Sequence, residues 1–120
     1  MNINRLIAEK VMGWTVVDRE DEGWGSGPLV YHIGQDVDEP YFQDFRPSTN
    51  LWHAWMVVEY LRSQETPLLV SITDYKKEYH CNFTLENVWQ PNTLRQHPNL
   101  PMAICLAALA VKEVKDEYWI

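Results

Sequence analysis

Apolar residues at positions 3, 6, 7 and 11 recur at helical spacing behind Asn2, a capping residue type, and ahead of Gly13, which suits a left-handed helix exit. This pattern predicts a helix over residues 2–12. Residues 14–17 are aromatic and β-branched and read as a short strand. A charged run then gives way to Gly23-Trp24-Gly25-Ser26-Gly27-Pro28, which is turn chemistry. Residues 29–33 predict a second strand ending at Gly34, and residues 35–47 a long loop carrying Tyr41, Phe42 and Phe45.

The stretch from Arg46 to Leu61 is the most informative. Pro47 biases Arg46 toward an extended backbone, and Ser48, Thr49 and Asn50 are the residue types that accept hydrogen bonds from a helix start. The pattern predicts a second helix over 49–63, with positions 51, 52, 54, 55, 58 and 61 as one broad buried stripe. Strands follow over 68–74 and 78–85, joined by a tight turn at Lys76-Lys77. In the second of these, Tyr79, Cys81 and Phe83 share one face and His80, Asn82 and Thr84 the other. A loop with Trp89, Pro91, His97 and Pro98 leads to a third helix over about 101–116, whose Ile104, Ala107, Ala108 and Val111 form its inner face. The order α-β-β-α-β-β-α predicts an α+β protein. It is expected as a three-layer α-β-α sandwich on a four-stranded, mainly antiparallel sheet, with residues 1–120 as a single domain.

Composition narrows the function classes. The chain has 120 residues, 46% of them hydrophobic, enough to bury a real core. Ten Lys and Arg against seventeen Asp and Glu give a net charge of −7, which argues against binding a nucleic-acid backbone. Cys81 and Cys105 are expected as buried free thiols rather than a disulfide. No run of 18 apolar residues crosses a membrane and no signal peptide is read at the start, so a cytoplasmic protein is expected.

Catalytic and metal chemistry find little support. His32, His53, His80 and His97 lack the spacing of a metal site, and His80 and Cys81 point to opposite faces of a strand. The glycine turn lacks the lysine and Ser/Thr of a phosphate loop, and there is no G-x-S-x-G elbow. A non-enzymatic protein without cofactor or metal is expected. The start of the second helix carries the binding reading. Its open N–H groups and the Arg46 cation suit a phosphate, held with Ser48 and Thr49. Trp52, His53 or Trp24 would stack on or wall a base, and Tyr41 or Phe45 would close over it. The Lys76-Lys77 turn and the segment around Arg95 stand as secondary cationic places.

Three stretches together resemble a known family. They are Leu6-Ile7-Ala8-Glu9-Lys10-Val11-Met12-Gly13-Trp14, the Tyr41…Pro47-Ser48-Thr49-Asn50 helix opening with Trp55 and Val58, and Pro101-Met102-Ala103-Ile104-Cys105-Leu106-Ala107-Ala108-Leu109. They are similar to the phage α-β-α sandwich domain family of small phage and prophage proteins. The chain departs from that pattern in Asn50, where an acidic residue is common, and in Trp52 and His53. The resemblance implies a sheet between helices and a host-cell cytoplasmic location. It also implies a likeness to small phage proteins that capture nucleotide signals of bacterial immunity, such as a cyclic or modified ADP-ribose. A homo-oligomer with a small nucleotide-type ligand, and no nucleic-acid or membrane partner, is the expectation. The alternative is an interaction module that inhibits a host protein and takes no small-molecule ligand.

Overall fold

The computed structural model describes residues 2–17, 30–32, 41–42, 45–64, 68–85 and 93–118. Helix α1, Ile3–Leu6, is capped by Asn2, whose side chain accepts from the Arg5 N–H. It continues as a π-helical turn, Ile7–Val11, closed by the Met12 N–H donating to the Ile7 carbonyl at 3.0 Å. Gly13 ends it at φ +73°, a conformation in which a Cβ would be strained. Strands β1 (Thr15–Val17), β2 (Val30–His32) and β3 (Tyr41–Phe42) follow, then helix α2 (Leu51–Arg62). Strands β4 (Leu68–Tyr75), β5 (Glu78–Leu85) and β6 (Arg95–His97) precede helix α3 (Leu100–Tyr118).

The α+β class and the helix-and-sheet sandwich hold, and each expected helix and strand forms within a few residues of its place. The sheet organisation differs from a single four-stranded sheet. Among the described residues the strands form two three-stranded antiparallel sheets, β1-β2-β3 and β4-β5-β6. Each expected hairpin recruits one short strand from a segment that periodicity assigns to a loop. Alternation cannot show in strands of two or three residues, so β3 and β6 are invisible to the pattern.

Helix α3 packs against β5, β6, α2 and the π turn, and α2 also lies on β4. The core gathers at these contacts: Ile7, Val11, Trp14, Val57, Val58, Leu61, Phe83, Ile104 and Val111 are buried. On β5, Cys81 and Phe83 face this core, as alternation requires. Asn82, on the other face, is buried too, because Thr93 covers it. The Thr93 hydroxyl accepts from the Phe83 N–H at 3.1 Å and also lies against the Asn82 side chain and the Phe83 carbonyl. This peg satisfies polar groups that burial would otherwise leave unpaired.

One expectation about α2 is corrected. Trp55 is 39% exposed and does not belong to the core. The buried face is Ala54, Val57, Val58 and Leu61, an i, i+3, i+4, i+7 set, while Leu51 and Trp52 lie outside it. The helix is apolar over more of its circumference than its neighbours cover. Its small β-branched face turns inward, where α3 approaches closely, and the large rings stay outside.

Both cysteines are free and buried. Burial pushes the Cys81 thiol up from 9.0 to about 12, and burial plus the neighbouring Cys81 does the same for Cys105. Neither is a ready nucleophile at neutral pH.

Three outcomes follow from this packing. Phe45, at 1% exposure, should lose about 3–5 kcal/mol on Phe45→Ala, whereas Trp55→Ala should cost about 1 kcal/mol or less, both read from urea unfolding. The β4–β5 turn holds Lys76 at φ 50° and Lys77 at φ 69°, where side chains are strained. Replacing the pair by Asn-Gly, the residues that such two-residue turns favour, should raise stability by about 1–2 kcal/mol with an unchanged denaturant slope. The thiols set an alkaline limit. Unfolded, they ionise near 9.0, while folded they keep their protons to about 12. Their contribution is therefore complete below pH 9 and declines as pH rises toward 12, by up to about 1.4 kcal/mol per thiol per pH unit. A Cys81→Ala, Cys105→Ala variant should show a flatter stability profile over that range.

Candidate functional site

The chain between β3 and α2 is pinned from two sides. The Phe45 ring lies 4.7 Å from Trp14 and 5.5 Å from His53, centroid to centroid, so three rings form a continuous row from β1 to α2. The Ser48 N–H donates to the Asn4 side chain at 3.0 Å, tying the same segment to α1. Within it the Arg46 carbonyl accepts from the Thr49 and Asn50 N–H groups at 3.2 and 2.8 Å. This turn sets Asn50 in an extended conformation as the N-cap, where its side chain accepts from the His53 N–H at 3.1 Å.

The expected ligand residues are thereby sorted. Arg46, Thr49 and Trp52 are exposed at the opening of α2, Trp52 at 82%, and His53 is half-buried beside them. The Arg46 N–H donates to His53 Nδ1 at 2.9 Å, which fixes the ring and leaves Nε2 as the position for its proton. Phe45 and Ser48 are buried: the ring belongs to the core row and Ser48 to the junction with α1. Trp24 lies outside the described residues, and of Tyr41 only the backbone, on β3, lies within them. Asn50 occupies the His53 amide, while the Leu51 and Trp52 amides remain at the open end of the helix dipole. The arrangement offers a cation, a hydroxyl and an open indole face, without a nucleophile held by a base. Among the described residues no three His, Cys, Asp or Glu side chains are placed to hold a metal.

A concavity lies elsewhere, between α1, β6 and α3, with a volume of about 500 Å³. Ile3 and Leu6 line it from α1, and Leu106 and Leu109 from α3, all half-buried. Lys10, Arg95, Lys112 and Glu113 supply its charges. Sequence reasoning reached only Arg95. The signal it passed over is that Ile3, Leu6 and Lys10 share a helix face, as do Leu106, Leu109 and Lys112 or Glu113.

No helix among the described residues is long and apolar enough to cross a membrane. The family model of the phage ABA sandwich domain matches residues 5–109. Among solved structures, the chain is similar to a phage protein from Bacillus cereus ATCC 14579, a 2.0 Å crystal structure. The TM-score is 0.54 and the identity 27%, covering 90% of this chain and 86% of that one. No curated protein matches the chain.

Proposed function

The chain belongs to the phage ABA sandwich domain family, and from that premise we propose that it is a non-enzymatic phage protein that binds and sequesters a nucleotide-derived small molecule. The ligand class is a bacterial immune signal of the cyclic or modified ADP-ribose kind, bound in the host cytoplasm. The observation that carries this reading is the open Trp52 ring at the start of α2. Exposed Arg46 and Thr49 lie in the turn that leads into the same helix, and the Arg46 N–H donates to the His53 ring. A base stacks on an indole without needing basic charge around it, and a phosphate suits the helix start and the guanidinium. The net charge of −7 opposes long-range attraction of an anion, so the affinity has to come from contact-range groups.

A second reading rests on a neighbouring observation. Leu51, at 50% exposure, and Trp55 extend the Trp52 surface along α2 into an open apolar face. Such a face also suits a module that inhibits a host protein, and it would serve two copies of this chain pairing as a homo-oligomer.

One experiment separates the readings. The protein is incubated with cyclic and modified ADP-ribose nucleotides, freed of unbound material, denatured, and the released molecules identified. A sequestering protein returns the ligand intact, an enzyme returns product, and an interaction module takes up nothing. With a bound ligand in hand, Arg46→Ala should weaken binding about ten- to a hundred-fold in calorimetry, the loss of one charge-assisted hydrogen bond. Trp52→Ala should weaken it as well, with thermal unfolding unchanged in both because both side chains are exposed. Unchanged affinity in both variants would remove the α2 start as the site.

A further inference from the structure

We propose that the outer edge of β4 is a self-association surface, on which a second copy of this chain pairs antiparallel through its own β4 to make one continuous sheet. The other sheet edges among the described residues are short: β1 and β6 have three residues and β3 two. β4 has eight, and it pairs with β5 alone, in an unbroken register from Leu68↔Leu85 to Tyr75↔Glu78. Long edges are ordinarily blocked by a bulge, a proline or a lysine. β4 contains none of these.

The hairpin turn fixes which backbone groups are open. Lys76 and Lys77 both have positive φ, the mark of a two-residue turn whose flanking residues, here Tyr75 and Glu78, form a hydrogen-bonded pair. Alternation from there aims the N–H and C=O groups of Leu69, Ser71 and Thr73 at β5, and those of Val70, Ile72 and Asp74 outward. Among the described residues nothing hydrogen-bonds to that outer row.

A twofold axis through Ile72 joins two such rows. Ile72 then pairs with its own copy and Val70 with Asp74, positions that exchange both backbone bonds. On the solvent face the same register sets Leu69 opposite Tyr75 and Ser71 opposite Thr73. Leu69 and Tyr75 are large apolar side chains left 52% and 55% exposed, and this is the pair type in which side chains come closest. Ser71 and Thr73, both exposed, are a hydrogen-bonding pair. On the inner face Val70 and Ile72 already pack against the core and would extend it toward the copy. This matching about one centre belongs to the strand read against itself, so a second copy, and not an unrelated extended strand, is the occupant. Copies carrying −7 repel at long range, but Asp74 is the sole charge in β4 and meets Val70, so no like charges face each other along the strand.

The test is sedimentation velocity on the full chain from micromolar to submillimolar concentration, with amide hydrogen exchange read by NMR. A concentration-dependent dimer is expected. The Val70, Ile72 and Asp74 amides should become protected as it forms, while those of Leu69, Ser71 and Thr73 are protected at every concentration. Ser71→Lys with Thr73→Lys sets lysine against lysine across the axis and should weaken the dimer about tenfold or more, as should Ser71→Glu with Thr73→Glu. Mixing the two variants should restore pairing, since each lysine then meets a glutamate. Both positions are exposed, and protected Leu69 and Tyr75 amides show that the β4–β5 hairpin is intact in each variant. Trp52→Ala should leave the dimer unchanged, which keeps this edge separable from the α2 surface. A monomer at every concentration overturns the proposal. So do outward amides that stay unprotected in a dimer, charge variants that pair like the native chain, or a mixture that fails to restore pairing. A dimer lost in Trp52→Ala overturns it in favour of the α2 face.

Discussion

The close approach that α3 allows is the constraint on which the rest of the structure depends. Ala103, Ala107, Ala108 and Ala110 are all essentially inaccessible, so the helix backbone can lie near β5, β6, α2 and the π turn at once. Small side chains leave little tolerance, since added methylenes in a close-packed interior displace backbone rather than fill space. The choice of face on α2 follows from this. Ala54, Val57 and Val58 fit a near neighbour, and the two indoles would not, so Trp52 and Trp55 are left to solvent. The same proximity lays the outer leucines of α3 beside α1 and creates the groove.

The second determinant is the row of rings from Trp14 through Phe45 to His53, with the Asn4–Ser48 hydrogen bond beside it. The row turns a segment of loop into part of the core and thereby fixes where α2 begins. Polar groups that look like ligand donors in the sequence are partly consumed in this task. Ser48 serves the junction with α1, Asn50 caps His53, and the Arg46 backbone orients the His53 ring. What reaches the surface is a smaller set, Arg46, Thr49, Trp52 and part of His53, of which the His53 ring is held by the Arg46 N–H.

The α2 start sits on an acidic protein, so an anion would have to be held there at contact range. Exposed Arg46 and Thr49 lead into a helix start whose Trp52 ring is open to solvent. At physiological ionic strength the screening length is about 8 Å. Contact-range charge would therefore set the affinity of an anion there, and the distant carboxylates mainly its rate of encounter.

The sequence by itself determined the helices, the two long hairpin strands and the free, buried cysteines. Each follows from local chemistry: Asn2 and Asn50 cap, Gly13 takes a positive φ, and alternation in residues 78–85 puts Cys81 and Phe83 on one face. It also placed a cation and an indole together at one helix start, because residues 46–53 are neighbours in the chain. Tertiary structure decided the rest. Trp55 and Phe45 are both aromatic, and only packing shows that Phe45, between Trp14 and His53, is core while Trp55, on the outer side of α2, is not. The two-residue β3 and three-residue β6 exist because a hairpin edge was available to pair with, which no local pattern records. The groove needs Lys10, Arg95 and Lys112 from three elements far apart in sequence. Spacing along a chain describes one face of one element, and only packing brings such faces together.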